Sequence, residues 1–162
     1  MSDIDNKLML RMYRRMDMIR LFEEQVNDLY TRALMPGLAH LYIGEEAIAV
    51  GVCEALRNDD YITSTHRGHG HCIAKGCDVG GMMKEIYGRK DGLCHGKGGS
   101  MHIADTAQGM LGANALVRRG PPSAAGAGQA GQPRGHGQAS GGAGGEGRPE
   151  HARRVWRSGM SR

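Results

Sequence analysis

The sequence predicts an α/β fold built on a parallel sheet. Three observations carry that expectation. Helical and strand-like segments alternate along the first 117 residues. The first strand-like segment runs directly into a loop of histidine and glycine, which is where open α/β sheets bind ligands. A glycine-rich loop, Gly92 to Gly99, then separates a third helical segment from a second strand-like one.

Residues 6–34 read as one long amphipathic helix. Leu8, Met12, Met16, Ile19, Phe22, Val26, Leu29 and Ala33 step by three or four and fall on one stripe, with Arg and Glu on the other face. The Met and Phe stripe reads as core packing. Pro36-Gly37 sets the end of the helix. Gly44 opens a second helix through about Leu56, with almost no polar face, so burial is expected. Asn58-Asp59-Asp60 forms a turn, and Tyr61-Ile62-Thr63 has strand character. A polar loop follows. Gly80 to Tyr87 predicts a third helix, stopped by Gly88, and Ser100 to Ile103 predicts a return to strand.

After Val117 the composition changes. Of the 45 residues from Arg118 to Arg162, 31 are Gly, Ala, Pro or Arg, and Leu, Ile, Phe, Tyr, Lys and Asp are absent. Such a segment buries too little apolar surface to offset its ordering entropy, so 118–162 is expected to be disordered. The formal charge of +4 resides there: residues 1–117 carry −2 and residues 118–162 carry +6. A nucleic-acid partner would have to use this tail. With Trp156 as its one aromatic, the tail predicts salt-dependent and unspecific binding at most.

Cys53, Cys72, Cys77 and Cys94 form neither a Cys-x-x-Cys pair nor a secreted disulfide framework, which fits reduced cytoplasmic thiols. No apolar run is long enough to span a bilayer, and the acidic start Met1-Ser2-Asp3-Ile4-Asp5 is unlike a targeting peptide. A cytoplasmic location is expected.

Three clusters could carry chemistry. Thr65-His66-Arg67-Gly68-His69-Gly70-His71 offers imidazoles and a guanidinium just after a strand, and Arg67 suits a phosphate because its fork makes paired charge-assisted bonds. The histidine spacing is not that of a zinc helix and no acidic ligand lies nearby, so no protein-ligated metal is expected. Gly92-Leu93-Cys94-His95-Gly96-Lys97-Gly98-Gly99-Ser100 misses the Walker spacing, because Gly98 follows Lys97. His40 stands shortly before Glu45 and Glu46, which read as an acid/base set or as carboxylates complementing a helix dipole; the second reading is favoured.

H-L-Y-I-G-E-E-A at 40–47, T-H-R-G-H-G-H at 65–71, G-R-K-D-G-L-C-H-G-K-G-G-S-M-H at 88–102 and M-L-G-A-N at 110–114 occur together, in this order, in one family. The chain resembles the alpha subunit of thiamine-diphosphate-dependent dehydrogenases, the first component of 2-oxo acid and acetoin dehydrogenase complexes. The resemblance covers residues 1–117 and is nearest to the acetoin branch, with the bacterial pyruvate branch second. It implies a thiamine-diphosphate-binding fold, of which this is the N-terminal part. By position it implies that His66 and Arg67 hold the cofactor diphosphate and that His40 faces the reaction centre. It also implies that Asn114, Ala115 and Val117 border the aminopyrimidine through backbone. His69 and Ser100 match positions one layer further out. The implied reaction is attack of the deprotonated thiazolium on a small carbonyl substrate, followed by acyl transfer to the lipoyl group of an acyltransferase. The implied partner is a beta subunit, in a heterotetramer.

The sequence also departs from that pattern. Pyruvate-branch relatives often carry Tyr at the position of His66, and the family more often shows Gly at Ala115. The G-D-G magnesium motif with its later Asn is absent, which predicts weak or no diphosphate binding by this chain alone. The tail composition is that of a shifted reading frame in GC-rich DNA. A non-catalytic fragment that at most pairs with other subunits is the alternative expectation.

Overall fold

The computed structural model describes residues 5–113 and the backbone of residues 140–143. Its elements are α1 (Asn6–Thr31), α2 (Glu46–Glu54), β1 (Tyr61–Ser64), α3 (His69–Lys75), α4 (Val79–Ile86), a 3-10 turn (Thr106–Gln108), β2 (Met110–Ala113) and β3 (Ser140–Ala143). The three strands form one sheet in the order β2-β1-β3, and both pairings are parallel. Helices packed on a parallel sheet are the α/β class that the alternating pattern predicted.

Asp5 caps α1, its carboxylate accepting from the Lys7 N–H at 3.1 Å. Ile19, Phe22 and Val26 of the expected stripe are buried, each contributing about 1.5–3 kcal/mol. The helix ends at Thr31 rather than 34. Ala33 turns left-handed (φ 54°), and the Leu34 N–H returns to the Leu29 carbonyl at 2.9 Å. Ala33 itself is exposed, and Glu23, expected outside, is fully buried.

α2 is buried on one side only. Ala49, Val50 and Cys53 face the core, while Ala47 and Ile48 are exposed, because in the described residues no layer covers the far face. β1 follows as expected, with Ile62, Thr63 and Ser64 buried. The segment after it differs from the expected polar loop: residues 69–75 form a buried helix, α3. Gly76 caps it at φ 101°, and His69 and His71 enter the core because other elements supply their hydrogen bonds. Hydrophobic periodicity has no way to register that.

α4 starts at Asp78, whose carboxylate accepts from Gly81 N–H at 2.6 Å. The strand expected at Ser100–Ile103 is instead turn and irregular chain. The second strand forms later, at β2, where the Ile62 N–H reaches the Gly109 carbonyl at 2.9 Å. The tail expected to be unstructured contains β3, paired from Tyr61↔Ser140 to Ser64↔Ala143. Backbone N–H and C=O groups at a strand edge accept any extended neighbour, so a Ser-Gly-Gly-Ala stretch can pair without apolar side chains. The rest of 118–162 lies outside the described residues.

Glu85, fully buried on α4, organises the glycine-rich loop. Its carboxylate accepts backbone N–H bonds from Cys94 (2.7 Å), Gly96 (2.8 Å), Gly98 (2.7 Å) and Gly99 (3.2 Å). The loop crowds so closely that a Cβ on Gly92 would sit 2.6 Å from the Glu85 Cα. Burial pushes the Glu85 pKa up, and the four N–H donors outweigh it and hold the group below the ordinary carboxylate range. A depressed folded pKa means that this stability is present above the ordinary carboxylate pKa and is lost as pH falls through the folded value. Glu85→Gln, which turns an amide NH2 toward N–H donors, is expected to lower unfolding stability by about 2–3 kcal/mol. Urea denaturation at neutral pH measures this, and an unchanged midpoint would show that the loop does not depend on the carboxylate.

Candidate functional site

The site lies at the C-terminal end of β1, where the chain leaves the sheet through Thr65 to Gly68 and enters α3. Segment 39–42, arriving from α1, lies against it. His66 and His40 meet edge to face, with ring centroids 5.2 Å apart and an interplanar angle of 89°. Both rings are half-buried, and the Nδ1 of each is buried without a hydrogen-bond partner. Thr63 Oγ1 is a third such atom. Arg67, also half-buried, donates one Nη1–H to the Leu41 carbonyl, which ties the two segments together. Unpaired buried polar atoms cost free energy, so polar groups left open beside a guanidinium fit an anionic ligand that would satisfy them. Among the described residues no group of three or more His, Cys, Asp or Glu could hold a metal ion.

Two buried networks hold this loop in place. His71 Nδ1 lies 2.8 Å from Ser64 Oγ, and its Nε2 lies 3.3 Å from the Tyr42 hydroxyl. Tyr42 packs directly on α3: a Cβ on Gly70 would lie 2.2 Å from its Cδ1, so only glycine allows this approach. Burial, helped by the Glu45 carboxylate, pushes the Tyr42 phenol up and keeps it protonated. In the second network His69 Nδ1 lies 2.8 Å from Glu23 Oε1, which assigns that proton to Nδ1. Its Nε2 is then free to accept from the Ser100 hydroxyl at 3.1 Å. α1, α3 and the glycine-rich loop are thereby pinned to one another.

The structure brings His40, His66 and Arg67 together at the junction of segment 39–42 and the loop after β1. Asn114, Ala115 and Val117 lie outside the described residues. Ala113, which precedes them, packs on the loop: a Cβ built on Gly68 would lie 3.2 Å from the Ala113 Cβ. His69 and Ser100 are bonded to each other. Glu46 is structural: it accepts from Gly44 N–H at 3.1 Å and pairs with Arg20 at 2.6 Å. Tyr42, Ser64 and Glu23 have no site role in the sequence reading, and His71 enters it only as one imidazole of the cluster at 65–71. Glu23 carried a usable signal, because it falls between Ile19 and Val26 on the stripe that packs the core.

Burial lowers the His71 pKa from 6.5 to about 4. Protonation therefore favours the unfolded chain. The stability held by neutral His71 is complete above pH 6.5 and declines as pH falls towards 4. Over that window the decline is about 3 kcal/mol. Urea midpoints taken across it should show this slope, and His71→Gln should flatten it; equal slopes in both proteins would rule the imidazole out as its source.

Residues 14–153 match the dehydrogenase E1 component family, so the match runs beyond Val117 into the glycine-rich stretch. The alpha subunit of acetoin:2,6-dichlorophenolindophenol oxidoreductase from Bacillus subtilis is 63% identical over 111 residues, covering 68% of this chain and 33% of that protein. The protein of the same name from Cupriavidus necator is 53% identical over 135 residues, covering 83% of this chain and 40% of it. The pyruvate dehydrogenase E1 component alpha subunit of Zymomonas mobilis is 46% identical over 123 residues, 75% of this chain and 35% of its own length. The chain therefore spans between a third and two fifths of the length of these three relatives. With His66 and Arg67 at the end of a parallel strand and the family match running from residue 14, the chain belongs to the dehydrogenase E1 component family.

Proposed function

We propose that this chain forms the diphosphate-binding side of a thiamine diphosphate site in an acetoin-branch E1 alpha subunit. The observation that carries this reading is the convergence of the unpartnered Nδ1 atoms of His40 and His66 beside Arg67. Arg67 would grip the diphosphate with the donors that Leu41 leaves free, and His66 would add one imidazole N–H. His40, from the facing segment, would stand over the reacting carbon and hand a proton to, or take one from, the carbonyl substrate. Asn114, Ala115 and Val117 would border the aminopyrimidine through their backbone groups. Bound thiamine diphosphate supplies a carbon that adds to carbonyls and stabilises the resulting negative charge.

The 63% identity to an acetoin oxidoreductase alpha subunit favours acetoin over pyruvate as the substrate class. The beta subunit, in a heterotetramer, and a lipoyl-carrying acyltransferase are the proposed partners. These 162 residues contain no G-D-G segment, so the magnesium ion that accompanies the cofactor has no protein ligands assigned in them. That favours a second reading, in which the chain pairs with a beta subunit without turnover. Four free thiols fit a cytoplasmic location, and among the described residues no helix is long and apolar enough to cross a membrane.

Calorimetric titration of the chain, mixed with a matching beta subunit, with thiamine diphosphate and magnesium tests the reading. Saturable binding is expected, weakened about 10- to 100-fold by Arg67→Ala, as the loss of a charge-assisted bond requires. Binding indifferent to that substitution, or none at all from a folded mixture, would overturn the assignment of the diphosphate site. Binding without release of an aldehyde from acetoin would select the second reading.

A further inference from the structure

Glu23, His69 and Ser100 come from α1, from α3 and from the end of the glycine-rich loop. The His69 Nδ1–H donates to Glu23 Oε1 at 2.8 Å, and the Ser100 hydroxyl donates to His69 Nε2 at 3.1 Å. A hydroxyl bonded to an imidazole that a carboxylate orients from its far side is the arrangement of an activated serine. Geometry and roles define it, and the order of the three along the chain does not matter.

The surroundings suit that role. Glu23 is 0% exposed and His69 1%, while Ser100 is partly exposed. The two relay groups are thus screened from water, and the residue that would react reaches the surface. Glu23 Oε2 is buried with no hydrogen-bond partner among the described residues, so the carboxylate is engaged through His69 alone. A buried carboxylate so placed favours a positive imidazole, which is what proton uptake from serine creates. Phe22 meets the His69 ring edge to face, with centroids 5.7 Å apart, and holds its plane. The Ser100 carbonyl, 3.0 Å from Nε2, can accept from that nitrogen once it bears the proton. The Ser100 N–H makes no hydrogen bond among the described residues, which leaves it as a donor to a developing oxyanion.

We propose that Ser100 is a nucleophile towards activated acyl esters, with His69 as its base and Glu23 as the positioning residue that orients the base. Ser100 Oγ bonds to the ester carbonyl carbon while its proton passes to His69 Nε2. The ester C–O bond then breaks, and the alcohol departs with that proton. Water, deprotonated by the same imidazole, releases the carboxylic acid and restores the serine. The step is neither oxidation nor reduction, and it consumes only water. The three residues are distinct from His40, His66 and Arg67, so this activity and the cofactor reading fail independently.

A fluorophosphonate, which phosphonylates activated serines with loss of fluoride, tests this on the full chain, with peptide mass spectrometry locating the adduct. The adduct is expected on Ser100. The parent should also hydrolyse 4-nitrophenyl acetate at least about tenfold faster than Ser100→Ala, the low end of what a positioned base contributes. Glu23→Gln is expected to slow labelling about 100-fold or more, at an unchanged half-saturating probe concentration, because the imidazole loses the partner that sets its tautomer. A loss of packing alone would not separate rate from probe binding in this way. Circular dichroism verifies that each variant folds. Urea-unfolded parent should take no label, which decides the matter even if Glu23→Gln does not fold. No adduct on Ser100, an adduct formed as fast in urea, ester turnover equal in Ser100→Ala, or a folded Glu23→Gln labelled at the parent rate would each overturn the proposal.

Discussion

A buried carboxylate with no side-chain cation paired to it among the described residues is the constraint on which the rest of the structure depends. Glu85 is fully buried and, among the described residues, bonded to backbone N–H groups of the glycine-rich loop. A lone charge in the interior is expensive, and it is tolerated here because four donors converge on two oxygens. The loop is shaped by that demand. Side chains larger than hydrogen at Gly92 or Gly98 would collide with Glu85 or with the His102 carbonyl, at 2.6 Å and 2.5 Å. A run of glycines that looks like a phosphate loop is thus a loop wrapped around the protein's own anion.

The consequence reaches the site through Ser100. This residue ends the loop and meets His69, which in turn meets Glu23 on α1. His69 begins α3, two residues after Arg67, so the position of the Arg67 backbone is fixed from three directions: the sheet, α1 and the Glu85 loop. The second network, Ser64–His71–Tyr42, fixes the same short helix from its other side. Neither network is replaceable piecemeal. Removing one partner leaves another polar group buried and unpaired, which costs more than the bond itself contributes.

Much of this was legible in the sequence, and what was missed has physical causes. α1, β1 and α4 were readable because apolar spacing and turn residues determine them locally. In the sequence α3 reads as a polar loop, because His69-Gly70-His71 looks solvated until Glu23, Tyr42 and Ser100 arrive from 29 to 46 residues away and Ser64 from the preceding strand. The second strand was assigned to Ser100–Ile103 because Ile103 is apolar. Ile103 is indeed buried, but the pairing that defines a strand went to Met110–Ala113. Of the candidate site, His40, His66 and Arg67 were reached through motif resemblance. Their meeting across two segments could not be read from spacing.

The described histidines separate by what their ring nitrogens do. His69 and His71 are fully buried and each has both nitrogens engaged. His95 and His102 have exposed hydrogen bonds from Nδ1 to the Lys90 and Ala113 carbonyls. His40 and His66 alone leave a buried Nδ1 unpaired, and they do so facing each other. A fold that satisfies the deeper imidazoles completely has no packing reason to leave these two open, one residue from a guanidinium. Their unmet bonding capacity distinguishes the two histidines with a nitrogen still open from the two that hold the loop and α3 still.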